Sequence, residues 1–176
     1  VRWFREVAPY VREVRGKTFV VAFGGELIEE GKLNNLVIDL SLLSALGVQL
    51  VVVYGSHPQV NQQLKLKGID KQLQRGVIEP TTTDVLECCK EVAGEIRLDI
   101  EAAFSQGLPN TPMSNSQIHI ISGNFVTAQP VGIVDGIDYK HTGKVRKFDL
   151  DSIRKALALN AIVLLSPIGF SPTGEA

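Results

Sequence analysis

Two glycine-containing turns are the residues best suited to chemistry. Gly24-Gly25 closes the apolar run Thr18–Phe23 (TFVVAF), and Gly55-Ser56 closes a second run, Val48–Tyr54 (VQLVVVY). A residue without a Cβ lets backbone N–H groups approach an anion closely, and a helix that begins just after such a turn adds partial positive charge. Either turn is suited to cradle a carboxylate or a phosphate. Glycines also follow strands for purely geometric reasons, so it is their pairing at the ends of two neighbouring strands that argues for a cradle. A third candidate is Lys140–Lys147 (KHTGKVRK), which holds Lys140, Lys144, Arg146 and Lys147 with no acid among them. It reads as a solvated hairpin or as a basic flap closing over an anionic ligand.

Other chemistries find no support. Gly16-Lys17-Thr18 imitates the end of a phosphate-binding loop, but Val11 stands where its first glycine belongs, and the order is helix then strand, the reverse of that motif. The Gly-x-Gly-x-x-Gly dinucleotide fingerprint is absent. His57, His119 and His141 lie far apart with no carboxylate or cysteine at ligand spacing, so no metal is expected. Ser56 lacks the Gly-x-Ser-x-Gly elbow of a hydrolase. Cys88 and Cys89 are the two cysteines, and neighbours on a helix point in different directions, so they read as semi-buried free thiols.

The elements that must position these turns follow from periodicity. Residues 2–15 place Trp3, Phe4, Val7, Val11 and Val14 on one face, an amphipathic helix that Pro9 should kink or divide. Its aromatic end packs on the chain's own core or on a partner subunit. Five basic against two acidic residues make residues 1–17 locally positive. After the strand 18–23 comes a helix over 32–46, with Gly47 to end it, then the strand 48–54 and a helix over about 57–67 that stops at Gly68. Strand, glycine turn and helix, repeated, is the pattern of parallel βαβ units. Residues 69–81 read as a hairpin or loop, and Asp84 with Glu87 as a capping box opening a long helix to about residue 103. A loop over 107–116, a strand at 117–121, antiparallel hairpins between 123 and 147 over one end of the sheet, a helix at 151–159 and a strand at 161–165 complete the chain.

With 176 residues the chain is sized for about one domain. Its 44% hydrophobic and 21% charged residues exclude disordered and fibrous classes. A net charge of −1 removes the global pull expected of a nucleic-acid binder. No stretch is apolar enough for a membrane span and the N-terminus has no signal core, so no membrane partner is expected and the cytoplasm is the default compartment. The initial Val and the arrest within a turn at Pro172–Ala176 read as a piece of a longer protein.

The segments TFVVAFGGELI, LSALGVQLVVVYGSHPQV, SGNFVTAQPVGIVDGIDYKHTGKVRK and AIVLLSPIGFSPTGEA, in this order, resemble the amino-acid-kinase domain of bacterial N-acetylglutamate synthases. WFREVAPYVREVRGKTFV is the part that separates that family from its relative, acetylglutamate kinase. The resemblance implies a three-layer αβα sandwich with a mainly parallel central sheet, acetylglutamate kinase-like and truncated. Residues 1–16 would form an oligomerisation and regulatory helix and 17–176 the N-terminal portion of the kinase-like domain. An acetyltransferase domain would follow outside this chain, using acetyl-CoA and glutamate in the first step of arginine synthesis. Its acetyl-CoA signature has no match here.

The resemblance also implies a disabled kinase. Active kinases of the family carry a lysine two residues before the first glycine pair, where this chain has Ala22. Losing a cation that stabilises developing phosphoryl charge costs several kcal/mol of barrier. Their second turn has three glycines; here it is Gly55-Ser56-His57. Where the kinases place an arginine before a Val-Thr pair to hold substrate carboxylate, Glu79 stands before Pro80-Thr81. No catalytic residue is therefore expected. Gly24, Gly25, Gly55 and Ser56 remain as a ligand-binding cleft and Tyr10 as an arginine contact, in a homo-oligomer built as a ring through the N-terminal helix with L-arginine as allosteric ligand. Two alternatives stand beside this: a working kinase that uses Lys144 or a later residue as its cation, and a pure assembly scaffold.

Overall fold

The computed structural model describes residues 2–106 and 118–176. The first helix, α1 (Arg2–Val14), runs without a break through Pro9. The expected division does not occur: Pro9 forfeits the bond to the Arg5 carbonyl, and the helix continues past it to Val14. It hands over to β1 (Thr18–Phe23) through Gly16, whose N–H donates to the Gly47 carbonyl at 2.8 Å. A short helix absent from the sequence reading, α2 (Gly25–Glu29), follows, then α3 (Leu33–Ala45), β2 (Gln49–Tyr54), α4 (His57–Leu66) and α5 (Thr83–Ser105). Beyond the undescribed stretch come β3 (Ile120–Ser122), β4 (Val126–Pro130), β5 (Ile133–Val134), β6 (Ile137–Asp138), β7 (Gly143–Phe148), α6 (Leu150–Ala158) and β8 (Ile162–Leu165). The loop expected at 107–116 lies outside the described residues, as does the start of the strand expected at 117.

Four strands form one sheet in the order β1-β2-β8-β3, every neighbouring pair parallel. A parallel sheet needs cover on both faces, and β2, second in the order, shows it by burying both sets of side chains. Leu50, Val52 and Tyr54 join Ile162 and Leu164 of β8 under α3, α4 and α5. Val51, Val163 and Leu165 face the other way, under Ile153, Ala156 and Leu157 of α6. The result is the three-layer α/β arrangement that the resemblance implies. On β1 the inward residues Phe19, Val21 and Phe23 pack under the first helical layer. The alternate residues Thr18, Val20 and Ala22 are exposed, Val20 to 68%, because α6 covers β8 and β2 rather than β1.

The long helix α5 begins two residues earlier than the expected box. Thr82, extended at φ −73° and ψ 167°, is the N-cap and accepts from the Val85 N–H, and Asp84 lies inside the first turn, where a carboxylate still meets the positive end of the helix. β4 and β7 pair antiparallel with an irregularity at Thr127/Ala128. β5 and β6 form a hairpin tip whose two turn residues, Asp135 and Gly136, both have positive φ, the conformation a tight two-residue hairpin requires. The ribbon is tied to the segment after β8 by Ala128 N–H to Phe170 O and Phe170 N–H to Val126 O, at 2.8 and 3.0 Å.

Candidate functional site

β1 and β2 are in register, with Phe23 opposite Tyr54, so the turns that follow them lie side by side at the carboxyl ends of the strands. The Gly55 N–H donates to the Phe23 carbonyl at 2.8 Å. A Cβ on Gly55 would lie 3.4 Å from the Gly24 Cα and 3.6 Å from the Gly25 nitrogen, so the two backbones are in van der Waals contact. The structure thus brings Gly24, Gly25, Gly55 and Ser56 together. α2 starts at the first turn and α4 at the second, both with their N–H ends toward this junction.

What fills the junction is a set of the protein's own side chains. Gln59 Nε2 donates to the Gly25 carbonyl at 2.8 Å, and its buried Oε1 has no donor partner. That oxygen sits 2.1 Å from where a Cβ on Gly25 would be, with Pro58 Cδ at 2.9 Å, so it rests against the Gly25 Cα–H and demands glycine there. Over Gly24 lies the Glu26 carboxylate, whose Oε2 is 2.1 Å from the corresponding Cβ position. Its other oxygen is 3.3 Å from Arg75 Nη1. Ser56 is the N-cap of α4 and only 7% exposed, and its hydroxyl makes no capping bond.

Residues 69–82 pass beside these turns. Leu73 O accepts from His57 Nε2 at 2.8 Å and from Asn61 Nδ2 at 3.1 Å, while the Leu73 N–H donates to Asn61 Oδ1 at 2.8 Å. Glu79 lies 3.9 Å from Lys71 Nζ and accepts the Gln74 N–H at 3.2 Å. The Thr142 hydroxyl bonds to the Glu79 carbonyl and accepts the Thr81 N–H at 2.9 Å, fastening this segment to the ribbon. Lys71 and Arg75, the cations of this segment nearest the turns, are therefore each paired with an acid.

The remaining sequence candidates lie elsewhere. Ala22 of β1 pairs with Val53 of β2 and presents a methyl group to the exposed sheet face. Lys144, on β7 opposite Gln129, lines a cavity of about 810 Å³ over that face, together with Val20, Val53, Phe148 and Arg154. A second cavity, of about 440 Å³, lies between α5 and the ends of β8 and β3, against Gly94, Arg97, Asn124 and Ser166. Gly24, Gly25, Gly55 and Ser56 line neither cavity. Tyr10 is 68% exposed on α1, the helix that leads into the start of β1, whereas the glycine turns follow the ends of β1 and β2. Burial raises the Tyr54 phenol above its ordinary pKa, and its hydroxyl donates to the Ala93 carbonyl at 2.7 Å, tying β2 to α5. Burial likewise raises the Cys89 thiol. No group of three or more potential metal ligands occurs among the described residues, and none of their helices is long and apolar enough to cross a membrane.

Sequence reasoning missed Gln59, His57 and Asn61. Their roles depend on partners 34, 16 and 12 residues away. The one available signal was the run Ser56-His57-Pro58-Gln59 at a helix start, which places polar side chains in the first turn.

Comparisons with known proteins agree with this architecture. The amino-acid acetyltransferase of Ralstonia nicotianae is 56% identical over all 176 residues, and that of Photobacterium profundum 49% over 175. The chain spans 39% and 40% of the length of these curated relatives. Among solved structures, the N-acetylglutamate synthase of Neisseria gonorrhoeae complexed with coenzyme A and L-arginine matches with a TM-score of 0.82 at 35% identity, over 97% of this chain and 40% of that one. The carbamate kinase of Giardia lamblia bound to AMP-PNP matches with a TM-score of 0.58 at 14% identity, over 88% of this chain and 57% of that one, a likeness of fold alone. A family model described as the amino acid kinase family matches residues 17–176, and by that match the chain belongs to the amino acid kinase family.

Proposed function

We propose that this chain is part of the regulatory, non-catalytic domain of an N-acetylglutamate synthase, a protein that as a whole transfers an acetyl group from acetyl-CoA to L-glutamate. The observation that carries the reading is the chemistry of the β1 end. Phosphoryl transfer depends on fixed cations at the moving phosphate. Here Ala22 offers a methyl group, and Arg75 and Lys71 are paired with Glu26 and Glu79. The relatives named amino-acid acetyltransferases, and the Neisseria gonorrhoeae synthase complexed with coenzyme A and L-arginine, support the assignment of the parent activity and of arginine as the ligand.

In this reading residues 1–16 build a ring-shaped homo-oligomer, residues 17–176 are the first part of the kinase-like domain, and Tyr10 contacts arginine. α1 supports the first point, since it is amphipathic and packs on the core through Val14. Arginine regulates by binding two arrangements of the ring unequally. Gly24, Gly25, Gly55 and Ser56 are a vestigial anion cradle, and the cytoplasm is the compartment. The test is an arginine titration of acetyl transfer by the full-length protein, wild type against Tyr10→Ala. A weakened response supports the reading, and an unchanged one removes Tyr10 from the arginine site.

A second reading, a working kinase, is favoured by Lys144, which lines the cavity on the sheet face to which Ala22 points. Phosphorylation of N-acetylglutamate by ATP, abolished by Lys144→Ala, would establish it.

A further inference from the structure

Both faces of a parallel sheet need cover, and one face of this sheet is covered only in part. On that face α6 packs over β8 and β2, while Val20 of β1 stands exposed. Over the bare strip lies the open cavity of about 810 Å³, lined by Val20 and Val53 of the sheet, Val145 and Phe148 of β7, and Ile153 and Arg154 of α6. Val145 and Phe148 are themselves 55% and 42% exposed, so the cavity is a groove of apolar side chains open to water. Its charged groups are mostly of one sign. Lys140, Lys144 and Arg154 line it against a single carboxylate side chain, that of Glu175. Arg154 stands 3.7 Å from Asp151, whereas neither lysine forms an ion pair with any other described residue.

The dimensions of the bare strip match one helix. Strands lie about 4.8 Å apart and a helix is about 10 Å across, so one helix laid beside α6 would cover β1 and the near side of β2. β1 has six residues, about 20 Å of strand, which a helix of about 13 residues spans. Charge selects among occupants. A second copy docked face to face would set Lys140, Lys144 and Arg154 against their own counterparts, and residues 1–17 of another copy would bring five basic side chains and two acidic ones. What fits is an apolar helix with carboxylates along its flank. Glu175 and Ala176 lie in the lining of the groove, and the chain spans 39% and 40% of the length of its curated relatives. Polypeptide that continues from Ala176 therefore meets the groove at high effective concentration.

We propose that this groove is the seat of an amphipathic helix supplied by the polypeptide that continues from Ala176, with its apolar side on Val20, Val53, Val145 and Phe148 and its carboxylates on Lys140 and Lys144. The proposal rests on the reading of the chain as the first part of a longer protein. With Lys144 paired in the seat, it is not free to serve as the cation of a phosphoryl transfer. Ala22, nearer the glycine turns, does not line the groove and stays outside the seat.

The test uses the full-length protein. Val20→Cys is labelled with a maleimide in buffer and in urea, and the labelled peptide is read by mass. The native protein is expected to react about a hundredfold more slowly than the unfolded one, since only local opening would expose the thiol. A water-soluble carbodiimide, which joins a lysine to a carboxylate in direct contact, is expected to link Lys140 or Lys144 to an aspartate or glutamate beyond residue 176; Lys144→Gln should remove any link at that position. Oligomers reassembled from equal parts of light and heavy-nitrogen chains should give links within one isotope. Labelling of Val20→Cys in buffer as fast as in urea would overturn the seat. Protection without a link beyond residue 176 would overturn the acidic helix, and links that mix isotopes would give the groove to a second copy instead. Acetyl transfer by the same protein tests the parent activity separately. Absent transfer with Val20→Cys protected and linked as described would sink that activity and keep the seat, whereas full transfer with Val20→Cys freely labelled would sink the seat alone.

Discussion

Replacing Gly25 by alanine tests whether the first glycine turn is kept for packing. The new Cβ would lie 2.1 Å from Gln59 Oε1 and 2.9 Å from Pro58 Cδ. The carboxamide can swing away, but doing so breaks its Nε2 bond to the Gly25 carbonyl, which is worth about 1 kcal/mol. The pyrrolidine ring is fixed in the first turn of α4 and can yield only by a backbone shift, the kind of overpacking that costs about 1–3 kcal/mol. The expected loss is therefore about 2–4 kcal/mol, read as a lower midpoint in urea at unchanged slope. Two controls calibrate it. Gly24→Ala meets the flexible end of Glu26 in an extended conformation that any residue adopts, and should cost less than about 1 kcal/mol. Gly94→Ala meets nothing within 4 Å on α5 and should stabilise by about 0.8–1 kcal/mol through helix propensity. If Gly25→Ala is as benign as Gly24→Ala, or if Gln59→Ala does not relieve part of its cost in a double-mutant cycle, the packing argument fails.

Other substitutions probe the same framework. Ala22→Lys, at an exposed position of β1, should change stability by less than about 0.5 kcal/mol and, in the proposed non-catalytic reading, leave the protein without phosphotransferase activity, since Lys71 and Arg75 stay paired with Glu79 and Glu26; stability is read by urea melts and activity by acyl-phosphate formation. Tyr54→Phe should cost about 0.5–1.5 kcal/mol by losing the bond its hydroxyl donates to the Ala93 carbonyl, which keeps its own helical partner within α5, read as a lower urea midpoint. Asp149, the N-cap of α6, is held below the ordinary aspartate range by the backbone N–H and hydroxyl of Ser152, helped by Lys147 and Lys155. A depressed carboxyl pKa gives stability that is complete above the unfolded value of about 3.9 and is lost as pH falls through the folded value. Asp149→Asn should therefore remove one component of acid sensitivity below about pH 4, measured as the pH dependence of the urea midpoint.

The strands of the central sheet were legible because they are written locally, while its layering came from the family resemblance. TFVVAF, VQLVVVY and AIVLL are apolar runs too short for helices, and two of them end in glycine turns, so the parallel sheet and the neighbouring turns could be read directly. α2 was not legible, because the five residues GELIE are too few to show a helical period. The start of α5 was misplaced because Thr81, Thr82, Thr83 and Asp84 are all capping types, and only the extended backbone at Thr82 selects among them. The contents of the cleft were hidden for a different reason. Gln59 over Gly25 and His57 against Leu73 are tertiary pairings, invisible to composition and spacing, and they turn an expected open cradle into a filled one.

The most direct measurement is acyl-phosphate formation by the full-length protein supplied with ATP, magnesium and N-acetyl-L-glutamate, trapped with hydroxylamine. The account predicts no product above a blank without protein. Sustained turnover that disappears when Gly24 or Gly25 is replaced would contradict it, since phosphate charge would then be met at a site where the structure offers Ala22 and two cations already paired with carboxylates.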